Sequence, residues 1–196
     1  MKKYQKGSAA LIALCGVVGV ILLAIGVAVV SYVSSANYGN EAEKGITSAW
    51  ENNEQILGQN TQKVLEAAQV TDMAAADIVK VSRAAIEGRY GAEGSKAVFQ
   101  AITEQNPTVD ASLYRKVQQL VEAGRDEFKM NQTLLIDRKR AYETNLGYLW
   151  RGFWMRLAGY PKIDLSKYKA ITTEHASETF KNGKEKGPLQ LRPSMQ

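Results

Sequence analysis

The sequence predicts an all-α protein: one N-terminal transmembrane helix followed by an antiparallel extramembrane helical bundle of three or four long helices. Three observations predict it. Residues 8–33 carry no charge. Beyond residue 40, apolar residues recur at alternating spacings of four and three, the pattern of helices that bury one face. Strand signals are sparse, with no extended run alternating Val, Ile, Thr and aromatic residues, and only four prolines interrupt 196 residues.

The apolar run comes first in the chain. Its 26 uncharged residues would make a helix of ~39 Å, enough to cross ~30 Å of hydrocarbon. A cleaved signal peptide has an apolar region of roughly 7–15 residues, so an uncleaved anchor is expected, although Ser34-Ser35-Ala36 is a tolerable cleavage site. Lys2, Lys3 and Lys6 precede the run and every Asp and Glu lies after residue 40, which favours a cytoplasmic N-terminus with the bulk periplasmic or extracellular. Ile12-Ala13-Leu14-Cys15 resembles a lipoprotein box but has Leu14 where a small residue belongs. Lys6-Gly7 resembles a pilin leader but has Ile12 in place of the required Glu. Gly16, Gly19 and Gly26 form no complete small-x-x-x-small pattern of glycines, so a plain anchor is the expectation. The organisation is then a cytoplasmic tail (1–7), the anchor (8–34), a helical-bundle ectodomain (35–176) and a disordered basic tail (177–196).

In the distal part Ile46, Trp50, Asn53, Leu57, Asn60, Val64 and Ala67 form one continuous helical stripe. Asn53 and Asn60 sit inside it. Buried amides there fix bundle register, with a ligand contact as the sharper alternative. Residues 40–90 are either one helix or two with a break at Thr71-Asp72; the second would cover Met73–Tyr90, with Ala74, Ile78, Val81 and Ala85 on its face. Gly88, Gly91 and Gly94 mark a turn, with a helix C-terminus near Arg89. A shorter helix over Ser95–Gln105 carries Val98, Phe99 and Ile102 and ends at Asn106-Pro107. Asp110 then caps a helix expected to run ~70 Å, through about Leu157. Its stripe is Leu113, Val117, Leu120 (with Val121), Phe128, Leu135, Tyr142 and Leu146 or Leu149. After Tyr160-Pro161, Ile163, Leu165, Tyr168 and Ile171 suggest a short docked segment.

Two of the three tryptophans fall in Tyr148–Leu157, together with Phe153, Arg151 and Arg156. A first helix that leaves the membrane and a last one that returns bring this cluster to the bilayer surface, where Trp and Tyr are favoured and arginines meet lipid phosphates. Tyr148, Trp150, Arg151, Phe153, Trp154 and Arg156 are therefore the candidate membrane-interface or partner-docking residues, with plain bundle core as the competing reading.

Composition excludes other classes. Beyond the three N-terminal lysines, 22 basic side chains face 20 acidic ones, too balanced for a nucleic-acid face despite a pI near 9.2. The single histidine, His175, and the single cysteine, Cys15 in the apolar run, cannot form the usual zinc constellations. Acidic pairs such as Glu41/Glu43 and Asp126/Glu127 lack the Glu-x-x-His repeat of di-iron bundles, and the Gly88–Gly94 turn lacks the lysine of a phosphate loop. No catalytic residue, metal ligand or cofactor is expected. The expected partners are the lipid bilayer, an unidentified membrane or envelope protein, and a second copy of the chain, with no nucleic acid. Asn131-Gln132-Thr133 matches a glycosylation acceptor but falls in mid-helix, so it is discounted.

The order of these parts resembles the LemA family. The Lys-bearing N-terminus, the single span, and Asn40 followed by Ala49-Trp50 are similar to the family's opening. Ser82-Arg83-Ala84 resembles its Ala-Arg-Ala, Asn106-Pro107 its Tyr-Pro, Arg140-Ala141-Tyr142-Glu143 its Arg-x-Tyr-Asn, and Gly159-Tyr160-Pro161 its closing Phe-Pro turn. The likeness spans residues 2 to about 170. Gln59–Leu65 departs from it, having no counterpart to the family's Arg-Arg-x-Asp-Leu-Ile-Pro, and Glu143 stands for its Asn. The resemblance implies an N-in anchor and an antiparallel bundle outside the cytoplasmic membrane, and it supplies no mechanism. The anchor, the bundle, the aromatic patch and the lack of catalytic equipment lead to the expectation of a non-enzymatic protein that binds or scaffolds others at the cell envelope; the alternative is a membrane-active or structural envelope protein, such as a phage-encoded one, acting on lipid through its aromatic end.

Overall fold

The computed structural model describes residues 5–69 and 72–171. All regular structure among them is helical: α1 (Gln5–Ala68), α2 (Asp72–Ile86), α3 (Gly94–Gln105), α4 (Ala111–Gly147) and α5 (Leu149–Leu157), with a 3-10 turn at Gly91–Glu93 before α3. The expected basic tail from residue 177, His175 and the first four residues lie outside the described residues.

Helix α1 is continuous for 64 residues. No proline falls within it, so nothing removes a rung of its backbone ladder. Its N-terminal part is long and apolar enough to cross a membrane, with an 18-residue window of mean hydropathy 2.9 that is nowhere buried in the chain. α1 stops at Gln69, whose φ of 48° is left-handed and cannot extend a helix. The open choice between one helix and two over 40–90 thus resolves to two.

α2 ends at Ile86, four residues short of the expected Tyr90. Gly88, at φ 84°, is the reason. It lets Arg89 N–H reach the Ala84 carbonyl (2.8 Å) and Gly88 N–H the Ala85 carbonyl (3.1 Å), a Schellman closure that needs a left-handed residue. α3 stops at Asn106, which is extended (φ −134°, ψ 91°) because Pro107 follows it. Asp110 caps α4: its carboxylate accepts from the Ser112 N–H and from the Ser112 hydroxyl at 2.6 Å. Those two donors hold the carboxyl below the usual aspartate range.

The expected helix from Asp110 through Leu157 is broken. α4 ends at Gly147, Tyr148 is extended (φ −66°, ψ 139°), and α5 begins at Leu149. Gly147 weakens the helix at that point, and Gly152 fixes the turn. A Cβ at 152 would run into the Leu146 carbonyl, so only glycine lets α5 lie against the end of α4.

The chain forms two compact units. One comprises Ile46–Asp137 with residues from Ser166, the other residues up to Gly45 with Arg138–Leu165. In the first, four helical segments share one core: Val64 and Ala68 of α1, Ile78 and Ala85 of α2, Val98 and Ile102 of α3, Val117 and Val121 of α4. Each larger side chain so buried stabilises by about 1.5–3 kcal/mol. Leu57, Ile86 and Phe128 form a second cluster. Here α1 and α4 run antiparallel, Asn52 bonding Asn131 and Asn60 bonding Glu127. They approach closely at Gly124, where a Cβ would stand 3.0 Å from the Asn60 Cβ. Arg125 donates to the Gly91 carbonyl and, at 3.4 Å, to that of Ala85, tying the α2–α3 turn to α4.

In the other unit α1 and α4 are again antiparallel: Arg138 donates to the Gly45 carbonyl (3.0 Å) and Tyr142 bonds Glu43. Gly152→Ala offers a test of the α4–α5 corner. Alanine gains up to about 1 kcal/mol of helix propensity over glycine, yet we expect the variant to lose about 1–3 kcal/mol because the corner must open. Denaturant unfolding of the full chain in micelles measures it, and a stabilised variant refutes the corner.

Candidate functional site

The best-defined polar arrangement lies between α1 and the returning chain. Glu43, only 6% exposed, would be strongly destabilising there without donors. Its Oε1 accepts from the Tyr142 hydroxyl at 2.6 Å, the Lys162 N–H at 2.7 Å and the Ile163 N–H at 3.4 Å. Tyr142 itself is completely buried. Burial, then the hydrogen bond to Glu43, push its phenol far above the usual tyrosine range. Tyr160 lies flat on Gly39, where a Cβ would stand 2.7 Å from its ring. Glycine is thus the residue that admits the ring.

One turn toward the N-terminus of α1 is a second polar knot. Asn145 Nδ2 donates to the Tyr38 hydroxyl (2.7 Å) and to the Ala141 carbonyl (2.8 Å), and its Oδ1 accepts from Arg151 (2.8 Å). The Arg151 guanidinium lies 4.8 Å from the centre of the Tyr38 ring, a cation–π stack. Burial raises the Tyr38 pKa, and the Arg151 charge opposes the shift.

These two knots hold α5, which has two faces. Gly152 and Met155 are buried. Leu149, 93% exposed, turns outward with Trp150, Phe153 and Leu157. Trp154 is between the faces, its ring edge-on to Tyr32 at 6.5 Å, Trp150 at 5.5 Å and Phe153 at 5.0 Å. The Trp150 indole N–H donates to Ser31 Oγ at 3.2 Å, and Ser31 and Tyr32 close the apolar run of α1. Arg156 is exposed, its Nε donating to the Gly152 carbonyl at 3.1 Å. From Tyr148 to Ile163 every charged residue is basic: Arg151, Arg156 and Lys162.

The structure therefore gathers Tyr148, Trp150, Arg151, Phe153, Trp154 and Arg156 on or beside one short helix, and adds Ser31, Tyr32, Tyr38 and Asn145, which sequence reasoning missed. Tyr32 and Ser31 were readable as the aromatic and polar close of an apolar run. Tyr38 and Asn145 carried no signal, since each acts only through the other.

Asn53 and Asn60 lie elsewhere, in the four-segment unit, and both are buried. Asn60 is fully engaged: Nδ2 donates to Glu127 Oε2 (2.9 Å) and Oδ1 accepts from Lys63 (3.1 Å). Asn53 donates to the Asn131 carbonyl (3.4 Å), while its Oδ1 has no partner among the described residues. Among the described residues no three His, Cys, Asp or Glu side chains converge closely enough to hold a metal ion. The chain matches no model of a known protein family, no curated protein and no solved structure.

Tyr142→Phe tests the Glu43 knot. It removes a hydrogen bond to a buried carboxylate, so we expect a loss of about 1.5–3 kcal/mol at neutral pH. The raised folded pKa of Tyr142 also gives a pH signature. Its contribution is fully present below the ordinary value of 10.0 and is lost as pH rises beyond it, because the unfolded phenol ionises first. Denaturant unfolding against pH should fall less steeply above that point in the variant. Parallel curves would refute the assignment.

Proposed function

We propose that this chain is a single-pass, membrane-anchored helical-bundle protein that binds or scaffolds other proteins at the cell envelope and carries out no catalysis of its own. Its N-terminus is cytoplasmic, its bulk periplasmic or extracellular, and α5 rests on the bilayer surface. One observation carries the reading: the outward stripe Leu149, Trp150, Phe153 and Leu157 sits beside residues 31–38 of α1, where the exposed apolar run ends. An amphipathic helix of this kind inserts its apolar side into the headgroup boundary while its cations stay among the phosphates. Full burial of such side chains stabilises by about 1.5–3 kcal/mol each. Because α1 already holds α5 near the membrane, insertion is an intramolecular step.

We propose this reading as LemA-like on the order of its sequence motifs. Tyr142 and Tyr160, two of the residues that carry the likeness, meet α1 one turn apart, at Glu43 and at Gly39. For partner docking the four-segment unit offers Met130 and Leu134, exposed one turn apart on α4; a second copy of the chain is among the occupants such a patch admits. A second reading, in which the aromatic end acts on lipid rather than merely resting on it, draws on the exposure of Trp150 and Phe153. Leakage of dye-loaded vesicles by the reconstituted chain would favour that reading over the first.

Photo-crosslinking in native membranes tests both halves of the leading proposal. A photoreactive residue in place of Phe153 should yield predominantly lipid adducts, and one in place of Met130 a discrete protein adduct, either a partner or a second copy. Protein adducts from position 153 would overturn the interfacial role of α5. No protein adduct from position 130 would overturn docking at that patch.

A further inference from the structure

Helix α5 divides into sectors. At about 100° per residue, Gly152 and Met155 fall together on its buried side. Leu149, Trp150, Phe153 and Leu157 fill the outward side, with Trp154 at its margin. Arg151 and Arg156 occupy the two boundaries: Arg151 follows Trp154 around one edge of the apolar arc, and Arg156 stands next to Leu149 at the other. Both arginines are exposed.

Each is held in place by uncharged partners. Arg151 donates to Asn145 Oδ1 and stacks on the Tyr38 ring, and Arg156 donates to the Gly152 carbonyl. A third cation follows at the return to α1, where the exposed Lys162 lies 4.4 Å from the centre of the Tyr160 ring. Among the described residues no carboxylate pairs with any of the three; Glu41, whose field reaches Tyr38, bridges to none of them. Cations positioned by neutral groups keep their full charge. Nor is the excess an average property of the chain. Residues 31–45 and 138–165 carry seven basic side chains against four acidic ones, whereas residues 46–137 and 166–171 carry eleven against thirteen. Tyr38 and Gly39, on which Arg151 and Tyr160 lie, stand only about 8 Å along the helix beyond Val33, the last residue of the uncharged run. With the run in the hydrocarbon, that is the level of the headgroups.

We propose that this cationic edge selects anionic phospholipids, gathering lipids with net-negative headgroups around α5 in preference to zwitterionic ones. Cations at headgroup level attract anionic lipid, whereas a zwitterionic headgroup brings its own cation to compete for its phosphate. The selection rests on α5 lying at the bilayer surface, as inferred above, and adds the class of lipid it meets there. Lys2, Lys3 and Lys6 precede the span and so stand at its opposite end, away from α5.

The test reconstitutes the full-length Trp50→Phe chain in nanodiscs of equimolar phosphatidylcholine and phosphatidylglycerol, leaving Trp150 and Trp154 as its tryptophans. Bromine is placed on the acyl chains of one lipid or the other, so that fluorescence quenching reports which lipid lies beside α5. Brominated phosphatidylglycerol should quench in excess, corresponding to a relative affinity of about fivefold at low salt, and the excess should fall at high salt. Arg156→Gln combined with Lys162→Gln should remove most of it while quenching by a fully brominated mixture stays unchanged. Equal quenching by the two lipids, beside strong quenching by the fully brominated mixture, would overturn the selection and leave α5 at the interface. An excess that survives both high salt and the double variant would overturn it too, since charge would not be its cause. No quenching by the fully brominated mixture would remove the interfacial placement of α5, and the selection with it.

Discussion

Glu43 is the constraint on which the unit formed by residues up to Gly45 and Arg138–Leu165 turns. A carboxylate taken out of water is strongly destabilising unless its lone pairs are met, and here they are met from two directions. The Tyr142 hydroxyl comes from α4, and the backbone N–H groups of Lys162 and Ile163 come from the segment after α5. Satisfying the first sets the pairing of α1 with α4. Satisfying the others returns the chain to α1 and seats Tyr160 on Gly39. With α5 fixed at both ends, by the turn at Tyr148 and by this return, its rotation about its own axis is no longer free. The direction in which Leu149, Trp150, Phe153 and Leu157 face is thus a consequence of a polar interaction, not of their own packing.

The break at Tyr148 has a matching consequence. Had α4 continued straight, Leu149 would have extended its buried stripe. The turn instead leaves Leu146 half-buried and Leu149 almost fully exposed. An aliphatic side chain left in water gains nothing from folding, so the corner is favourable only through what it permits: close contact of Gly152 with the end of α4, burial of Met155, and the Arg151–Asn145–Tyr38 knot. An exposed row of large apolar groups on one helix face is the feature that marks a surface meant for something other than water.

How much of this the sequence made legible depends on the kind of interaction. Stripes set by the helical period were readable residue by residue: Ile46, Leu57 and Val64 on α1, Val117, Phe128 and Leu135 on α4, all buried. The apolar run was readable because bilayer thickness is fixed in residues. The corner at Tyr148 was not, because no proline marks it. Gly147 and Gly152 are weak signals individually, and only their contact makes them decisive. Glu43 was readable in principle and missed. Extending the α1 stripe by three residues from Ile46 lands on Glu43, and by four more on Gly39, so a carboxylate and a glycine stand in register with a buried face. As one of an acidic pair it was weighed only as metal chemistry and set aside; as a member of the stripe it pointed to a buried acceptor seeking donors. Tyr142, in the facing stripe, was the complementary donor.

Asn53 and Asn60 show how one residue type in one stripe can take two roles. Seven residues apart on the same face of α1, both are buried against α4. Asn60 meets Glu127 and Lys63 and packs on Gly124. A slip of one residue along α4 would break the Glu127 bond and move Gly124 from beneath Asn60, so Asn60 favours one pairing of the two helices. Among the described residues Asn53 meets only the Asn131 backbone carbonyl. A backbone acceptor recurs at every residue and carries little register information, so that bond cannot explain an amide in place of an aliphatic residue. An amide that bonds side chains on the facing helix resists a slip in register, whereas one that bonds only a backbone carbonyl tolerates it.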